Sequence, residues 1–213
     1  NCRPSPYHGD ALPTELRGRD RQDGHPQRMP QRTGNPQRRY PSTAHYSHAM
    51  LIRLAEQADS EAIRRIYNQE VRQSAATFDL VERTPEGQAA WLSERSGAFS
   101  VLVAEFDNLI VGFAALSPYK ERAAYRTTVE NSVYVDPDSR GRGVADGLLV
   151  ELLAVARTSG FHVVVARIGG GNEASIALHE KHGFTRVGTE REVGRKFGRW
   201  QDVVVMQALL EER

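Results

Sequence analysis

The chain has 213 residues, a net charge of +1 and a single cysteine, Cys2. Near-neutral charge gives no strong pull toward nucleic acid or a membrane surface. One cysteine, near the chain start, excludes a disulfide framework, a thiolate metal site and a cysteine nucleophile in the rest of the chain. No apolar run reaches the roughly 20 residues of a membrane span, so a cytoplasmic protein without a metal site is expected.

Residues 1 to 48 hold seven of the ten prolines, with Arg, Gln, Gly and His filling most of the rest. Such a segment cannot bury enough apolar surface to offset its chain entropy, and it reads as a disordered extension. It has no apolar h-region and is not a secretory signal. Met50 stands where the periodic pattern begins, which admits a reading of the arm as an upstream translation extension. Residues 49–213 have the length of one domain.

In chain order, Leu51 to Leu54 reads as a short strand. Asp59 or Ser60 caps a helix whose apolar face is Ala62, Ile63, Ile66, Tyr67 and Val71. Pro85 opens a second helix through Trp91 and Leu92, ended by Gly97. Phe99 to Phe106 and Ile110 to Leu116 form a hairpin about Asp107-Asn108, and Pro118 begins a polar loop, Tyr119 to Arg126. Thr128 to Val135 is a central strand ended by Asp136-Pro137. A long helix runs from about Arg142 to Thr158 and is capped by Gly160. Val163 to Ile168 is a buried strand. A glycine-rich turn, Gly169 to Asn172, leads into a helix through Ile176, Ala177 and Leu178 that stops at Gly183. Phe184 to Gly188 and Val203 to Leu210 are the last strands, with a glycine-rich connection between them. This order predicts an α/β fold with a mixed sheet.

Arg140-Gly141-Arg142-Gly143 lies between the central strand and the long helix. A strand that turns through glycines into a helix aims unpaired N–H groups and the positive end of the helix dipole at one point, which suits a phosphate or diphosphate. Arg140 and Arg142 are placed to add charge-assisted bonds. The plainer alternative is a connection with two solvated arginines. A P-loop is excluded, because Val144 and Ala145 stand where Lys and Ser/Thr are required, and a dinucleotide fingerprint is out of register.

The string Asn131 to Pro137, followed by Arg140-Gly141-Arg142-Gly143-Val144-Ala145, resembles the acetyl-CoA signature of the GNAT N-acetyltransferases. Asn172 and His179 to Phe184 resemble that family's later helix and its Gly-aromatic ending. Ile66-Tyr67-Asn68, Thr77-Phe78, Tyr119 to Tyr125, Thr128 to Val135 and Lys196 to Asp202 are similar to the phosphinothricin acetyltransferase subfamily, whose relatives acetylate methionine sulfone and sulfoximine. The resemblance implies a GNAT fold, acetyl-CoA as co-substrate, a small amino-acid-like amine as acceptor, herbicide resistance as one possible readout, and a homodimer.

Acetyl transfer to an amine requires that the amine lose its proton and that the thioester carbonyl be polarised. Glu130 lies just before the anion-binding turn, on the strand face it shares with Thr128, Ser132 and Tyr134. A solvated strand glutamate is the plain reading; the resemblance implies the general base. His179 lies where many GNAT enzymes carry a tyrosine that protonates the thiolate, and it reads either as that acid or relay or as a packed histidine. The resemblance further implies that the backbone of Val133, Tyr134 and Val135 binds the pantetheine arm, with an N–H near Val133 facing the oxyanion, and that Asn172 contacts the same arm. Lys120 and Arg122 are the expected donors to an anionic substrate group, with Phe78 and Tyr125 as apolar walls. Gly198-Arg199-Trp200 shapes a hairpin, with Trp200 either at the site's border or filling the core. Acetylation of a polyamine, an antibiotic or a protein N-terminus is the rival activity, and a non-catalytic acyl-CoA-binding module is the rival class.

Overall fold

The computed structural model describes residues 50–210, so the extension expected over 1–48 lies outside the described residues. Seven strands form one mixed sheet in the order β1-β2-β3-β4-β5-β7-β6. They are β1 (Leu51–Leu54), β2 (Val101–Phe106), β3 (Leu109–Pro118), β4 (Thr128–Val135), β5 (Val163–Gly169), β6 (Thr185–Lys196) and β7 (Arg199–Leu209). The helices are α1 (Ser60–Gln73), α2 (Pro85–Ser93), α3 (Val144–Thr158) and α4 (Glu173–Lys181).

The two faces of the sheet bury separate clusters. Leu148, Leu149 and Leu152 of α3 and Ile176 of α4 pack against Leu116, Val129, Val164 and Met206 on one face. Ile63, Ile66 and Tyr67 of α1 and Leu92 of α2 pack against Val103, Phe113 and Ala115 on the other. The α1 residues follow the 3.6-residue period seen in the sequence.

Several boundaries differ from expectation, each for a local reason. Asp59 does not cap α1 with its side chain; its carboxylate instead takes Arg53 in a bidentate bridge at 2.7 and 2.9 Å. Residues Gly97–Phe99 form a 3-10 turn, so the strand begins at Val101. Pro118 is the last residue of β3 rather than the first of the loop. Helix α3 starts at Val144, because Gly143 is left-handed at φ +80°. The largest departure is at the end of the chain. β6 continues past Gly188 to Lys196 and turns back through Phe197 and Gly198, both at positive φ (+52° and +73°). Two positive φ values in a two-residue loop match the twist of a β-hairpin. The segment read as a loop is thus paired, with register breaks between Arg186 and Gly188 and between Glu190 and Gly194. Bulges of this kind disrupt the two-residue alternation by which strands are read from sequence.

One feature of the sheet makes the site. β4 and β5 run parallel, yet they pair only over Thr128–Glu130 against Val163–Val165. Beyond Val165, β5 stays registered with β7 to Gly169, while β4 stays registered with β3 to Val135. The two central strands part after Glu130 and leave a wedge.

Candidate active site

The phase of the β3–β4 ladder determines which backbone groups face that wedge. Asp136 N–H donates to Val111 O at 2.9 Å, and Val135 is registered with Gly112. In an antiparallel ladder bonded and non-bonded pairs alternate, so Ser132 and Tyr134 spend their backbone bonds on β3. Asn131, Val133 and Val135 turn theirs into the wedge. Of the three residues expected to offer backbone to a pantetheine arm, Val133 and Val135 face the opening and Tyr134 does not. The Tyr134 ring packs edge-on against Tyr67 and tilted against Phe113, at 5.3 and 5.1 Å.

Two connected cavities occupy the wedge. The larger, of about 690 Å³, is lined by Val133, Val135, Arg140, Gly141, Gly143, Val144, Ala145 and Asn172, among others. The smaller, of about 260 Å³, holds Glu130, Phe78, Arg167 and His179. Val133, Tyr134, Gly169 and Asn172 border both. An elongated ligand gripped at the α3 turn therefore has a continuous path to Glu130.

At the turn, Gly141 and Gly143 have φ of +74° and +80°, and an added Cβ at either would meet open space. Among the described residues no side chain caps α3, so the first N–H groups of that helix stand open at the positive end of its dipole. The amide cradle fits a diphosphate. The arginines behave differently from expectation. Arg140 pairs with Glu70, a buried residue at the end of α1, and Arg142 lies over the Phe106 ring at 5.4 Å and does not line the cavity. The N-terminal, positive end of α4 is capped by Asn172, whose Oδ1 accepts from Ser175 N–H at 3.1 Å.

Glu130 has no hydrogen-bond or ion-pair partner among the described residues. Burial raises its carboxyl above the usual carboxylate range, and the nearby Arg167 guanidinium offsets part of that rise. An ionised, underbonded carboxylate with a raised pKa is a competent proton acceptor.

His179 is buried at 4% exposure. Its Nδ1 lies 2.7 Å from the Ser175 carbonyl, which can only accept, so Nδ1 carries the hydrogen. Nε2 is then a lone pair, and Asn131 Nδ2 donates to it at 2.9 Å. Desolvation lowers the ring's pKa below the ordinary histidine value. His179 is a neutral ring with both nitrogens engaged, a poor source of a proton for a departing thiolate.

The substrate side also departs from expectation. Phe78 lines the smaller cavity, its ring so close to Gly194 that an added Cβ there would lie 2.3 Å from it. Lys120, Arg122 and Tyr125 do not line either cavity. Lys120 instead stacks over Tyr119 and Tyr125 at 4.7 and 5.2 Å. The cation inside is Arg167, whose Nη1 and Nη2 donate to Glu190 at 2.9 and 2.5 Å. Sequence reading missed Arg167 because it sits in an apolar strand, and missed Glu190 because β6 was not read that far.

The loop that carries Phe78 is tied down from below. Lys196 is buried and donates to Thr77 O at 2.7 Å, Ser74 Oγ donates to Glu70 Oε2 at 2.5 Å, and Tyr67 Oη donates to Asp79 Oδ2 at 2.6 Å. Desolvation lowers the Lys196 pKa. Trp200 is 60% exposed and does not fill the core.

A parted parallel strand pair, an amide cradle at a helix start and a carboxylate at the apex of the wedge are an acyltransferase architecture, and the chain belongs to the GNAT acetyltransferase family, whose domain description matches residues 52–205. The chain is 41% identical over 165 residues to the L-amino acid N-acyltransferase MnaT of Escherichia coli, covering 77% of this chain and 96% of that one. It also superposes on a phosphinothricin acetyltransferase from Sinorhizobium meliloti in complex with AcCoA, with TM-score 0.73, 35% identity and coverage of 76% and 88%. A ribosomal-protein-alanine N-acetyltransferase from Brucella melitensis gives TM-score 0.74 and 42% identity, covering 75% of this chain and 99% of that one.

Proposed function

We propose that this acetyltransferase moves the acetyl group of acetyl-CoA to the α-amine of a small amino-acid-like substrate, of the kind named for its relatives, phosphinothricin or methionine sulfoximine and sulfone. The observation that carries the reading is Glu130, underbonded and desolvated at the apex where the cofactor groove meets the smaller cavity.

In this reading the Gly141–Ala145 amides hold the diphosphate of acetyl-CoA, and the wedge-facing backbone of Val133 and Val135 aligns its pantetheine arm. Glu130 takes a proton from the substrate ammonium, directly or through one water. The freed lone pair attacks the thioester carbonyl. The Val133 N–H stabilises the oxyanion. The C–N bond forms, the adduct's nitrogen releases its second proton to solvent, the C–S bond breaks, and CoA leaves as thiolate to be protonated by solvent or by the proton held on Glu130. Asn131 and His179 shape the wall beside the thioester, and Phe78 packs on the substrate chain. Acetylation of a protein N-terminus is the second reading, suggested by the Brucella melitensis neighbour. The roughly 260 Å³ cavity, roofed by residues 75–78, favours a single amino acid.

The same reading places the enzyme in the cytoplasm, with its acyl donor; among the described residues no helix is long and apolar enough to cross a membrane. A homodimer is supported by the exposed edge strand β6 and its hairpin, where Val187, Val193, Phe197 and Trp200 are each more than half exposed. Unpaired apolar edges are normally covered. Light scattering at micromolar concentration tests this, a monomeric mass opposing it.

A thiol-release assay over a panel of phosphinothricin, methionine sulfone, methionine sulfoximine, a polyamine and an N-terminal peptide tests the activity. Turnover confined to the amino-acid analogues is the expected result. Turnover of only the polyamine or the peptide defeats the substrate reading, and CoA binding without turnover of any defeats the enzyme.

A further inference from the structure

We infer that Arg167 selects the substrate by binding its α-carboxylate, with Glu190 holding the guanidinium in place. The inference rests on the acetyl-transfer reading above and names the group by which the acceptor is recognised.

Among the described residues that line the smaller cavity, Glu130 is the one carboxylate and Arg167 the one fixed cation. They share a face of the sheet. Glu130 is registered with Val165 in the parallel ladder, and Arg167 is the next residue of β5 on that side. At ~3.3 Å per residue along a strand and ~4.8 Å between paired strands, their Cα atoms are at least roughly 8 Å apart, since the strands part beyond Val165. The two charges feel one another, yet they are not paired: among the described residues Arg167's ion-pair partner is Glu190 and Glu130 has none. An α-amino acid carries an ammonium and a carboxylate on adjacent atoms. Set between Glu130 and Arg167, it satisfies both at once.

The guanidinium has capacity for this. Glu190 takes one hydrogen from each of Nη1 and Nη2, which leaves the Nε edge and its neighbouring Nη hydrogen free. That edge is itself a two-donor fork matched to a carboxylate. Glu190 therefore fixes the plane of the guanidinium without exhausting it, and the Arg167 side chain, 33% exposed, still reaches the cavity. A polyamine, cationic at both ends, meets Arg167 unfavourably.

The test compares L-methionine sulfone with its α-carboxamide, which keeps the amine and side chain but lacks the anion. The readout is the ratio of kcat/KM for acid over amide, measured by thiol release in the full-length protein. A ratio cancels any loss of folded enzyme. The wild type is expected to favour the acid, and Arg167→Leu to collapse the ratio by at least tenfold. Arg167→Lys, which keeps the charge and the partner for Glu190 but not the fork, should retain part of it. An unchanged ratio in Arg167→Leu, or equal use of acid and amide by the wild type, overturns the inference while leaving acetyl transfer intact. No turnover of any α-amino substrate overturns the underlying reading, and this one falls with it.

Discussion

Asn131 donates from Nδ2 to His179 Nε2 at 2.9 Å, and this bond determines the chemistry of the imidazole. With Nδ1–H given to the Ser175 carbonyl at 2.7 Å, the ring is complete as a neutral donor–acceptor. Protonation would place an Nε2–H against the Asn131 NH₂ and would charge a desolvated ring. The ¹⁵N spectrum of His179 is therefore expected to report the Nδ1–H tautomer, with a titration below the ordinary histidine pKa of about 6.5. His179→Ala should lower stability by about 1–3 kcal/mol, as for other losses of a buried hydrogen-bonded group, yet leave the pH dependence of turnover unchanged in shape. Loss of a titrating limb in that variant would restore His179 as the acid.

Glu130 gives a prediction of opposite character. As a base it works ionised, so kcat/KM should climb as pH rises through its raised pKa. Glu130→Gln should abolish that limb and lower turnover by about 10² or more, with CoA affinity retained. Stability should move the other way. Burial lifts the folded pKa above the unfolded value near 4.5. The carboxyl's favourable contribution is thus complete below that value and is lost as pH rises through the folded pKa. At pH 7 to 8 the ionised side chain is a burden, and Glu130→Gln should raise Tm, by about 2–4 °C if about 1 kcal/mol is relieved. The gain should vanish below about pH 4. Calorimetry across that range checks it; a gain that persists in acid would point to packing instead of charge.

The anion site is built from backbone, which separates two substitutions that look alike in sequence. Arg142 lies on Phe106, so Arg142→Ala should change the CoA dissociation constant by less than about threefold, the size of a screened surface charge. Gly143 is left-handed and borders open cavity. Gly143→Val forces a β-branched residue to positive φ and pushes its side chain where the diphosphate enters, so affinity should drop at least tenfold by titration calorimetry. Equal effects of the two would return the charge to Arg142.

The positions of the α3 turn and of Glu130 were legible because both follow from one strand, one turn and one helix in sequence. Tyr67 and the rest of the α1 stripe were legible through the helical period. The substrate side was not. Arg167 is an arginine in an otherwise apolar strand, where the run of apolar residues around it carries no signal of a functional side chain. Its partner Glu190 comes from a strand whose bulges hide its period. Lys120 and Arg122 matched a pattern by order, but the loop folds Lys120 onto two tyrosines. Which way a wedge opens is set by where two strands stop pairing, and no residue type encodes that alone.

Gly194 tests how the substrate wall is held. The Phe78 ring lies on it, with Lys196 two residues along binding the Thr77 carbonyl. Gly194→Ala places a methyl 2.3 Å from the ring, and the phenyl must move into the cavity. The expected outcome is a higher KM for the amine substrate and an unchanged CoA affinity. A rise in both would mean that the loop moves as a unit with the cofactor turn.

That unit has a specific candidate link, Arg140 with Glu70. Arg140 stands at the turn and is 57% exposed, whereas the Glu70 side chain is 6% exposed and also holds Ser74. Removing the arginine strands a buried carboxylate, so Arg140→Ala should cost about 1–3 kcal/mol, less than a fully buried pair because the arginine is half in solvent. Glu70→Gln should cost less, since the amide still reaches Ser74. In the double variant the stranded charge is gone, and the loss should be smaller than the sum of the two. The same cycle read in CoA affinity separates stability from coupling: if Arg140 chiefly braces the loop, both single variants weaken the amine substrate more than CoA. Additivity within about 0.5 kcal/mol in both readouts would mean that the two residues act independently and that cofactor turn and substrate loop are not joined through them.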